Sequence, residues 1–360
     1  MKIGFLTADW GVSESKETKE RILIPGGSGW YRTHLPSNEL SKNGINTVIS
    51  EQVSVDDSGI SLIDWKDGSE HDDCDIIVMQ RIMNDFGVDI IEQAHAAGQK
   101  IVNDVDDWYW GLHPNNNAYK ATDPKYNPTC NKVHYKKTLM ASDLVITSTP
   151  FLYNEIKSWG CNVALVRNSV ETNKFHIVEQ HDKPTIGWVG ATSHRSGDLE
   201  TMQGILGPFL DRNDLKFHHG GFSTGHYAAA ELLGIDISRS TQTPLCQIDL
   251  YPQHFNFFDV SIVPLNKIPF NEAKSFIKGI ESAAAGKPFI AQDTGEYRFL
   301  NEEYGLGRVA RKPKDWIKHF NELLDKDLRI EESIKNKEIV KKLDISNNWK
   351  NWYDAITSVL

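Results

Sequence analysis

The sequence alternates short apolar runs with amphipathic stretches from one end to the other, and this alternation is the feature that most constrains its fold. The apolar runs are nearly continuous in Val, Ile and Leu, which is typical of parallel strands buried on both faces. The strands predicted in the first half are Lys2–Ala8, Thr47–Glu51, Asp75–Gln80, Lys100–Asp104, Leu144–Ser148 and Val163–Val166. Those predicted in the second half are Thr185–Val189, Lys216–His219, Val260–Pro264 and Pro288–Ala291.

The amphipathic stretches between these runs predict helices. The stretch Pro150–Trp159 has Pro150 in its first turn and Gly160 just after its end, which are ordinary helix start and stop signals. Strands that alternate with helices form βαβ units, so we predict an α/β fold with two Rossmann-like, doubly wound parallel sheets. The other predicted helices are Tyr31–Lys42, Val88–Ala97, Asp198–Phe209, Lys274–Ala285, Lys314–Asp325 and Glu331–Lys342.

Chain length and one polar stretch predict the domain organisation. A chain of 360 residues exceeds the size at which one core usually suffices. We expect an N-terminal domain over residues 1–170 and a C-terminal domain over residues 171–346, with the polar connection Glu171–Pro184 between them. A last helix, 347–360, packs either on its own domain or back on the N-terminal one. Its apolar face consists of Trp349, Trp352, Tyr353 and Ile356.

Composition excludes several classes of protein. The net charge of −10 gives no general attraction to nucleic acid or to anionic membranes. The four cysteines are scattered without a CxxC pair, so neither a disulfide framework nor a zinc site is expected. No segment approaches the roughly 18 consecutive apolar residues of a membrane span, and the N-terminus becomes polar too soon for a signal peptide. We therefore expect a cytoplasmic protein.

The most informative stretch for function is the loop and helix that follow the predicted strand ending at Pro264. Ligands of α/β proteins bind in loops after the carboxyl ends of parallel strands, and a helix N-terminus suits a phosphate. Lys274 and Ser275 fall in the first predicted turn, and Lys278 and Glu281 share the face of Lys274. This arrangement would suit a nucleotide, because the lysines could bind a diphosphate and the carboxylate could accept hydrogen bonds from ribose hydroxyls. The plainer interpretation is a surface helix with a solvated, lysine-rich face.

The same stretch resembles the donor-site motif of the retaining glycosyltransferase family four, which has the GT-B fold of two Rossmann-like domains facing a cleft. Glu281 and the small residues up to Gly286 and Pro288 match the second Glu of that motif and its tail. In the family this Glu binds the donor ribose, so the resemblance implies that role for Glu281. Ala273 stands where the family has its first Glu. A branch of the family instead has Asn-x-Ala-Lys-Ser, which Asn271–Ser275 matches.

Two further blocks are similar to the same family. The segment Thr185–Leu199 resembles the first βα loop of the C-terminal domain, which implies donor phosphate contacts from Gly190, His194 and Arg195. The segment Ala141–Pro150, followed by 166–175, resembles the last unit of the N-terminal domain and the linker.

In the first half, two stretches carry candidate site residues. The glycine-rich loop before the first predicted helix implies, by the same resemblance, donor contacts from Gly27, Ser28, Gly29 and Arg32. The second stretch follows the predicted strand that ends at Asp104. There Asp106, Asp107 or His113 would act on an acceptor hydroxyl, and the neighbouring aromatics would stack on a sugar or a base. The plainer interpretation is an Asp-rich loop with core tryptophans.

The predicted reaction moves a sugar from a nucleoside diphosphate to a hydroxyl acceptor. Lys274, Lys278 and Arg195 would stabilise the leaving diphosphate, and we expect no metal and no other cofactor. The resemblance implies retention of configuration; in an inverting enzyme Asp106, Asp107 or His113 is the candidate base.

The acceptor stays open at this stage. The whole chain looks similar to glycosyltransferases often carried by tailed bacteriophages, which implies the cytoplasm of a host cell. The candidate acceptors are a glycan, a virion protein or a hydroxylated base in phage DNA. Two other functions remain possible on the same architecture, namely a sugar-nucleotide 2-epimerase and a non-catalytic binding module.

Overall fold

The computed structural model describes residues 1–14, 21–50, 52–56, 59–176, 179–194 and 197–360. These residues form two compact units. Unit 1 comprises Met1–Leu112, Ala118–Ser169 and Ile345–Leu360, and unit 2 comprises His113–Asn117 and Val170–Asp344. The predicted boundary was residue 170, and the chain passes from unit 1 to unit 2 after Ser169 and returns after Asp344.

The described strands follow one another in the chain as β1 to β17. In unit 1 they are β1 Lys2–Thr7, β2 Trp10–Glu14, β3 Arg21–Pro25, β4 Asn46–Ser50, β5 Val53–Asp56, β6 Gly59–Ile63, β7 Glu70–His71, β8 Ile76–Gln80, β9 Lys100–Val105, β10 Leu144–Thr147 and β11 Val163–Leu165. In unit 2 they are β12 Thr185–Val189, β13 Lys216–Gly220, β14 Ser240–Thr243, β15 Val260–Val263, β16 Phe289–Gln292 and β17 Arg308–Ala310.

The α-helices of the described residues are numbered in the same way. They are α1 Gly27–Gly29, α2 Leu35–Lys42, α3 Gly87–Ala96, α4 Asn117–Thr122, α5 Lys132–Ala141, α6 Pro150–Lys157, α7 Leu206–Asn213, α8 Ala228–Leu233, α9 Pro269–Glu272, α10 Ile277–Ala284, α11 Tyr297–Tyr304, α12 Pro313–Glu322, α13 Lys326–Val340 and α14 Ile345–Thr357. A π-helical turn, Trp30–His34, joins α1 to α2. The 3₁₀ segments are Tyr109–Gly111, Thr172–Lys174, Thr192–His194, Leu199–Met202, Ile237–Arg239, Ile248–Phe257 and Lys341–Leu343. No helix in the described part of the chain combines the length and hydropathy needed to cross a membrane.

Each unit is built on a six-stranded sheet, and the two sheets differ in strand order. In unit 1 the order is β11-β10-β9-β8-β1-β4, and every pair is parallel. In unit 2 it is β14-β13-β12-β15-β16-β17, again with parallel pairs throughout. The prediction of two doubly wound parallel sheets is therefore confirmed. The strand order reverses beside β1 in unit 1 and beside β12 in unit 2, and such switch points are where ligands bind.

The cores explain why the apolar runs became strands. Ile3, Phe5 and Val78, from the adjacent strands β1 and β8, are buried in one cluster of unit 1. In unit 2, Ile186 of β12, Val260 of β15 and Phe217 of β13 are buried in another. Side chains on both faces of these strands lose contact with water, which is why the runs lack the polar alternation of a half-exposed sheet.

The structure contains elements that the alternation did not predict. The antiparallel pair β2–β3 and the three-stranded sheet β5-β6-β7 interrupt the first half. Strands β14 and β17 complete the edges of the unit 2 sheet. Their segments, Ser-Thr-Gln-Thr and Arg-Val-Ala, are too polar or too short for apolar periodicity to detect.

The terminal helix α14 belongs to unit 1. Its residues Ile345, Trp352 and Ile356 are buried in the same cluster as the strands β1 and β8. The apolar face predicted from their spacing thus packs against the N-terminal half of the sequence, which is one of the two alternatives that the sequence left open.

Candidate functional site

Two candidate sites lie at the switch points, one in each unit. In unit 2 the candidate site includes Lys278. Its ammonium Nζ donates to the carbonyl oxygen of Val189, the last residue of β12, at 2.6 Å. Lys278 is half-buried and lies in the first turn of α10. A lysine fixed to the carboxyl end of the first strand places positive charge where nucleotides bind in doubly wound sheets.

Glu281 lies one turn further along α10 and is buried, with 3% of its surface exposed. Its Oε2 accepts a hydrogen bond from the hydroxyl of Tyr251 at 2.8 Å. Lys278 and Glu281 are three residues apart on one helix and therefore share a face. Tyr251, in the 3₁₀ segment Ile248–Phe257, is a site residue that the sequence analysis missed, because it lies far from Glu281 in the chain.

The helix of this site begins later than predicted. We expected it to start near Asn271–Lys274, but the structure has the short helix α9, a break, and then α10 from Ile277. The carbonyl of Lys274 accepts the amide of Glu296 at 3.3 Å instead of continuing a helix. Lys274 and Ser275 are thus placed in the connecting segment, not in the first turn, so the argument that Lys274 shares a helical face with Lys278 is wrong.

Asn271 holds the segment before the break. Its side chain is 1% exposed and donates to Asp198 Oδ1 at 2.6 Å and to the Asn266 carbonyl at 2.8 Å. Asp198 Oδ1 also accepts the amide of Asn266 at 2.8 Å. Asn271 therefore fixes the loop after β15, and its contact with the donor stays a prediction.

Lys274 is half-exposed, with Nζ 4.3 Å from the centre of the Phe270 ring. The loop after β16 packs against the same segment through Gly295, which has φ +60. A Cβ at this position would lie 2.6 Å from the Lys274 carbonyl oxygen, so only glycine allows the approach. The hydroxyl of Thr294, 3% exposed, has no hydrogen-bond partner among the described residues. The signal that could have located this loop is Asp-Thr-Gly-Glu directly after a strand.

Gly190 follows β12, and its carbonyl accepts a hydrogen bond from His219 Nε2 at 2.9 Å. Burial lowers the pKa of His219, so the ring is neutral and its buried Nδ1 has no partner among the described residues. Burial also lowers the pKa of His218 and of His254 to about 4. The side chain of His194, and Arg195 as a whole, lie outside the described residues, so their predicted contacts are not located.

The site in unit 1 lies at the switch point between β1 and β8. Asp9 follows β1 and Arg81 follows β8, and Arg81 Nη1 donates to Asp9 Oδ1 at 2.6 Å. Arg81 has φ 61, a left-handed conformation that is uncommon for a non-glycine residue and clusters at functional sites. Neither residue was predicted, because a single Asp and a single Arg after strands carry no motif.

Asp106 joins this group from the loop after β9. It is hydrogen-bonded to the Ser28 side chain and is partly exposed, yet its Oδ1 is buried with no partner among the described residues. Burial, together with the charge of Asp107, raises the pKa of Asp106 to about 7, although Arg81 and Ser28 oppose the shift. A carboxyl group with such a pKa can take up or release a proton near neutral pH.

The glycine-rich loop forms a hydrogen bond with a carboxylate of the protein itself. The amide of Gly29 donates to Asp9 Oδ2 at 2.8 Å, so an internal carboxylate takes an N–H group that was expected to face a donor phosphate. Gly27 is exposed, whereas Ser28 contacts Asp106. Of the predicted set Gly27, Ser28 and Gly29, the structure therefore associates Ser28 and Gly29 with the carboxylates of unit 1.

Arg32 is completely buried and serves the interior of unit 1. Its Nη2 lies 2.5 Å from Asp104 Oδ1, and its Nη1 donates to the Val166 carbonyl at 2.7 Å and to Asn168 Oδ1 at 2.9 Å. The guanidinium also lies 4.4 Å from the centre of the Trp352 ring. All these partners are structural, and the donor contact implied for Arg32 stays a prediction.

The aromatic residues of the loop after β9 mainly pack against one another and against their helices. Trp108 and Trp110 contact Trp159, with ring centres 5.7 and 4.7 Å apart. Trp110 stacks on Tyr135 at 6.0 Å. His113 is exposed and is grouped with unit 2 rather than with Asp106. The structure thus favours core tryptophans over a stacking platform, and it places only two of the three predicted acid–base residues in one loop of unit 1.

Among the described residues, no group of three or more His, Cys, Asp or Glu side chains is arranged to hold a metal ion. The expectation of metal independence stays a prediction.

Comparison with solved structures shows which known folds the chain resembles. The chain is similar to sucrose-phosphate synthase from Thermosynechococcus elongatus, with a TM-score of 0.65 and 14% identity over 99% of this chain and 98% of the other. It is similar to Anabaena HepE in complex with UDP and glucose, with a TM-score of 0.60 and 12% identity over 99% and 100% of the two chains. The lipopolysaccharide outer core galactosyltransferase WaaB gives a TM-score of 0.59 and 14% identity over 100% of both chains.

No family model matches the chain, and no curated protein matches it by sequence. The similarity to solved structures therefore concerns the fold, and the predicted GT-B class is confirmed.

Proposed function

We propose that the protein is a glycosyltransferase that moves a sugar from a nucleoside diphosphate to a hydroxyl group of an acceptor. The observation that carries this proposal is the pairing of Lys278 and Glu281 on α10 beside the carboxyl end of β12. A lysine there suits the diphosphate and a buried carboxylate suits the ribose hydroxyls. The solved structures of HepE with UDP and with UDP-glucose support a donor of this kind.

The chemistry needs a stabilised leaving group. The bond between the anomeric carbon and the diphosphate oxygen breaks, the acceptor oxygen bonds to that carbon, and the nucleoside diphosphate leaves with its negative charge. Lys278 is fixed near the switch point, and the half-exposed Lys274 can leave the Phe270 ring to approach the diphosphate. Charges placed before the reaction stabilise the developing negative charge without a reorganisation cost.

The resemblance to glycosyltransferase family four, carried by Glu281 and its small-residue tail, supports retention of configuration. In a retaining reaction, the leaving phosphate can receive the acceptor proton, so no dedicated base is required. We extend the proposal to metal independence, because lysine side chains supply the positive charge. We extend the proposal to action inside a host cell, on the resemblance of the sequence to glycosyltransferases carried by tailed bacteriophages.

The proposal is tested by binding and turnover of nucleotide sugars. The unaltered chain is expected to gain thermal stability from one nucleoside diphosphate among UDP, GDP and ADP, and to hydrolyse the matching nucleotide sugar slowly. Lys278→Gln should weaken the effect of the nucleotide about tenfold or more, since a charged hydrogen bond to phosphate is lost. Glu281→Gln should weaken it less, because the amide keeps one acceptor oxygen for the Tyr251 hydroxyl.

The matched control is Lys216→Gln, which removes one exposed lysine at the amino end of β13. This variant should bind nucleotide like the unaltered chain. If no nucleotide stabilises the protein, or if Lys216→Gln weakens binding as much as Lys278→Gln, the assignment of the donor site is wrong.

A further inference from the structure

The pair formed by Tyr251 and Glu281 joins two segments of unit 2 that lie apart in the chain. Tyr251 belongs to the 3₁₀ segment Ile248–Phe257, which follows β14, and Glu281 lies on α10, which follows β15. The tyrosine hydroxyl donates to Oε2 of Glu281 at 2.8 Å. A hydrogen bond to an ionised carboxylate is stronger than one between neutral groups, so it can fix the orientation of the carboxylate.

The ring of Tyr251 is itself held by its own segment. Its centre lies 5.9 Å from that of the His254 ring and 6.0 Å from that of the Phe255 ring, both in edge-on contacts. His254 and Phe255 are buried, and Nδ1 of His254 lies 2.8 Å from the hydroxyl oxygen of Thr243, the last residue of β14. The Tyr251 hydroxyl is therefore directed at Glu281 from a segment that is anchored to the edge of the sheet.

The orientation of the Glu281 carboxylate matters for any hydroxyl group that it binds. The last torsion of a glutamate is broad and roughly two-fold, so the plane of the carboxylate is set by its hydrogen-bond partners. Ordering that plane before a ligand arrives removes part of the entropy cost of binding. An ionised carboxylate has about four acceptor positions, so it can bond Tyr251 and ribose hydroxyl groups at the same time.

A buried, oriented carboxylate also distinguishes ligands that carry a hydroxyl group from those that lack it. A site built to bond a hydroxyl rejects the analogue without one, because the buried acceptor then loses its donor. Glu281 is 3% exposed, so little solvent can replace a missing hydroxyl. A carboxylate that can rotate finds another partner more easily than one whose plane is fixed, so Tyr251 should strengthen this discrimination.

We infer that Tyr251 is a positioning residue that orients Glu281 towards the donor ribose, and that it thereby makes the donor site select ribonucleotides over deoxyribonucleotides. The inference rests on the proposed function and adds a positioning residue and a specificity to the same site.

The test compares ribonucleotides with deoxyribonucleotides on the full chain. Whichever of UDP, GDP and ADP stabilises the protein is titrated beside its 2′-deoxy and 3′-deoxy forms. The unaltered chain should bind the ribonucleotide about tenfold or more tightly than at least one deoxy form, since a hydrogen bond to a charged group is lost. Tyr251→Phe removes only the hydroxyl and should reduce this preference about three- to tenfold, mainly by weakening the binding of the ribonucleotide.

A double-mutant cycle separates positioning from direct contact. In Glu281→Ala the preference should already be lost, and adding Tyr251→Phe should change it no further. Glu281→Gln takes the place of Glu281→Ala if the latter does not fold. The matched control is Tyr304→Phe, which removes the hydroxyl of a partly buried tyrosine on α11 and should keep the full preference.

Three outcomes overturn the inference. The unaltered chain could bind the ribonucleotide and both deoxy forms equally, or Tyr251→Phe could keep the full preference. Tyr251→Phe could also lower the preference as much without Glu281 as with it, which would show that the tyrosine contacts the ribose directly. The weaker nucleotide binding of Lys278→Gln would stand in all three cases and would leave the proposed function intact. A chain that none of the three nucleotides stabilises would instead overturn the proposed function and, with it, this inference.

Discussion

Asp106 is a carboxyl group whose pKa is shifted to near neutral pH. Burial raises its pKa to about 7, the charges of Asp107 and Asp104 act in the same direction, and Arg81 and Ser28 oppose them. If Asp106 acts on the acceptor hydroxyl of the proposed reaction, its ionised carboxylate is the better hydrogen-bond acceptor. We therefore expect sugar transfer to the hydroxyl acceptor to increase as the pH rises through about 7.

This rise should disappear in Asp106→Asn, whose side chain does not titrate. The measurement is the ratio of transfer to donor hydrolysis between about pH 5.5 and about pH 8.5, a range that brackets the shifted pKa. A profile of the same shape in the variant would assign the ionisation to another group.

The raised pKa of Asp106 also makes the stability of the folded protein depend on pH. The folded protein keeps the Asp106 proton up to a higher pH than the unfolded chain, in which an Asp titrates near pH 4. Stability is therefore greatest below that value and decreases as the pH rises towards 7. We expect Asp106→Asn to have a higher melting temperature than the unaltered chain at about pH 8, and this advantage should shrink at about pH 5. Thermal unfolding at the two pH values measures it, with Asp72→Asn, which removes an exposed carboxylate of unit 1, as the comparison.

At the scale of elements, Arg32 connects four parts of unit 1. It stands on the π-helical turn and contacts Asp104 of β9, the segment 166–168 and Trp352 of α14. Arg32→Met should destabilise the protein by about 3–5 kcal/mol, because Asp104 is left as an uncompensated buried charge. Denaturant unfolding measures the loss.

The double variant Arg32→Met with Asp104→Leu removes both charges and should recover much of that stability. If the double variant is no more stable than Arg32→Met alone, the damage comes from lost packing on Trp352 and not from the buried charge.

Gly295 connects the loop after β16 to the segment between α9 and α10. Its left-handed φ of +60 and the Lys274 carbonyl oxygen, 2.6 Å from an added Cβ, both oppose a side chain. We expect Gly295→Ala to displace the Lys274 segment and to weaken nucleotide binding, with a stability loss of more than about 1 kcal/mol. Nucleotide titration and thermal unfolding measure the two effects.

Gly204→Ala is the matched control, since Gly204 has φ +72 but open space where its Cβ would stand. It carries the same backbone strain without the collision. Equal effects of the two substitutions on nucleotide binding would show that the contact with Lys274 does not shape the site.

At the scale of the whole molecule, buried groups in the two units contribute pH dependences of opposite direction. In unit 2, burial lowers the pKa of His218 and His254 from 6.5 to about 4. The unfolded chain binds these protons at higher pH, so stability is lost as the pH falls from about 6.5 towards 4. The dependence on Asp106 in unit 1 runs the other way.

We expect His218→Gln and His254→Gln to flatten the fall in melting temperature between about pH 6.5 and about pH 4.5, even where they lower stability at neutral pH. His254 is hydrogen-bonded to Thr243 and contacts Cys246, so some loss at neutral pH is expected for its variant. The exposed His226, replaced by Gln, serves as the control. An unchanged slope in both buried variants would mean that other groups cause the acid sensitivity.

The sequence by itself determined the elements that depend on local patterns. Buried strands need continuous apolar runs, so β12 was predicted with its exact bounds and most other central strands within about two residues. The pattern Glu281, small residues, Gly286 and Pro288 marked helix α10 and its end, because a helix that packs closely needs small residues and a left-handed residue after it.

Only the tertiary structure decided what distant residues do to one another. At the break at residues 273–276, the amide of Glu296 donates a hydrogen bond to the Lys274 carbonyl. The burial of Arg32 depends on Asp104 and on a helix from the other end of the chain. The same holds for Asp9 and Arg81, which lie 72 residues apart and meet because β1 and β8 are neighbours in the sheet. Local periodicity reports which face of an element is buried, but the partner of a buried charge is set by strand order, which no single segment contains.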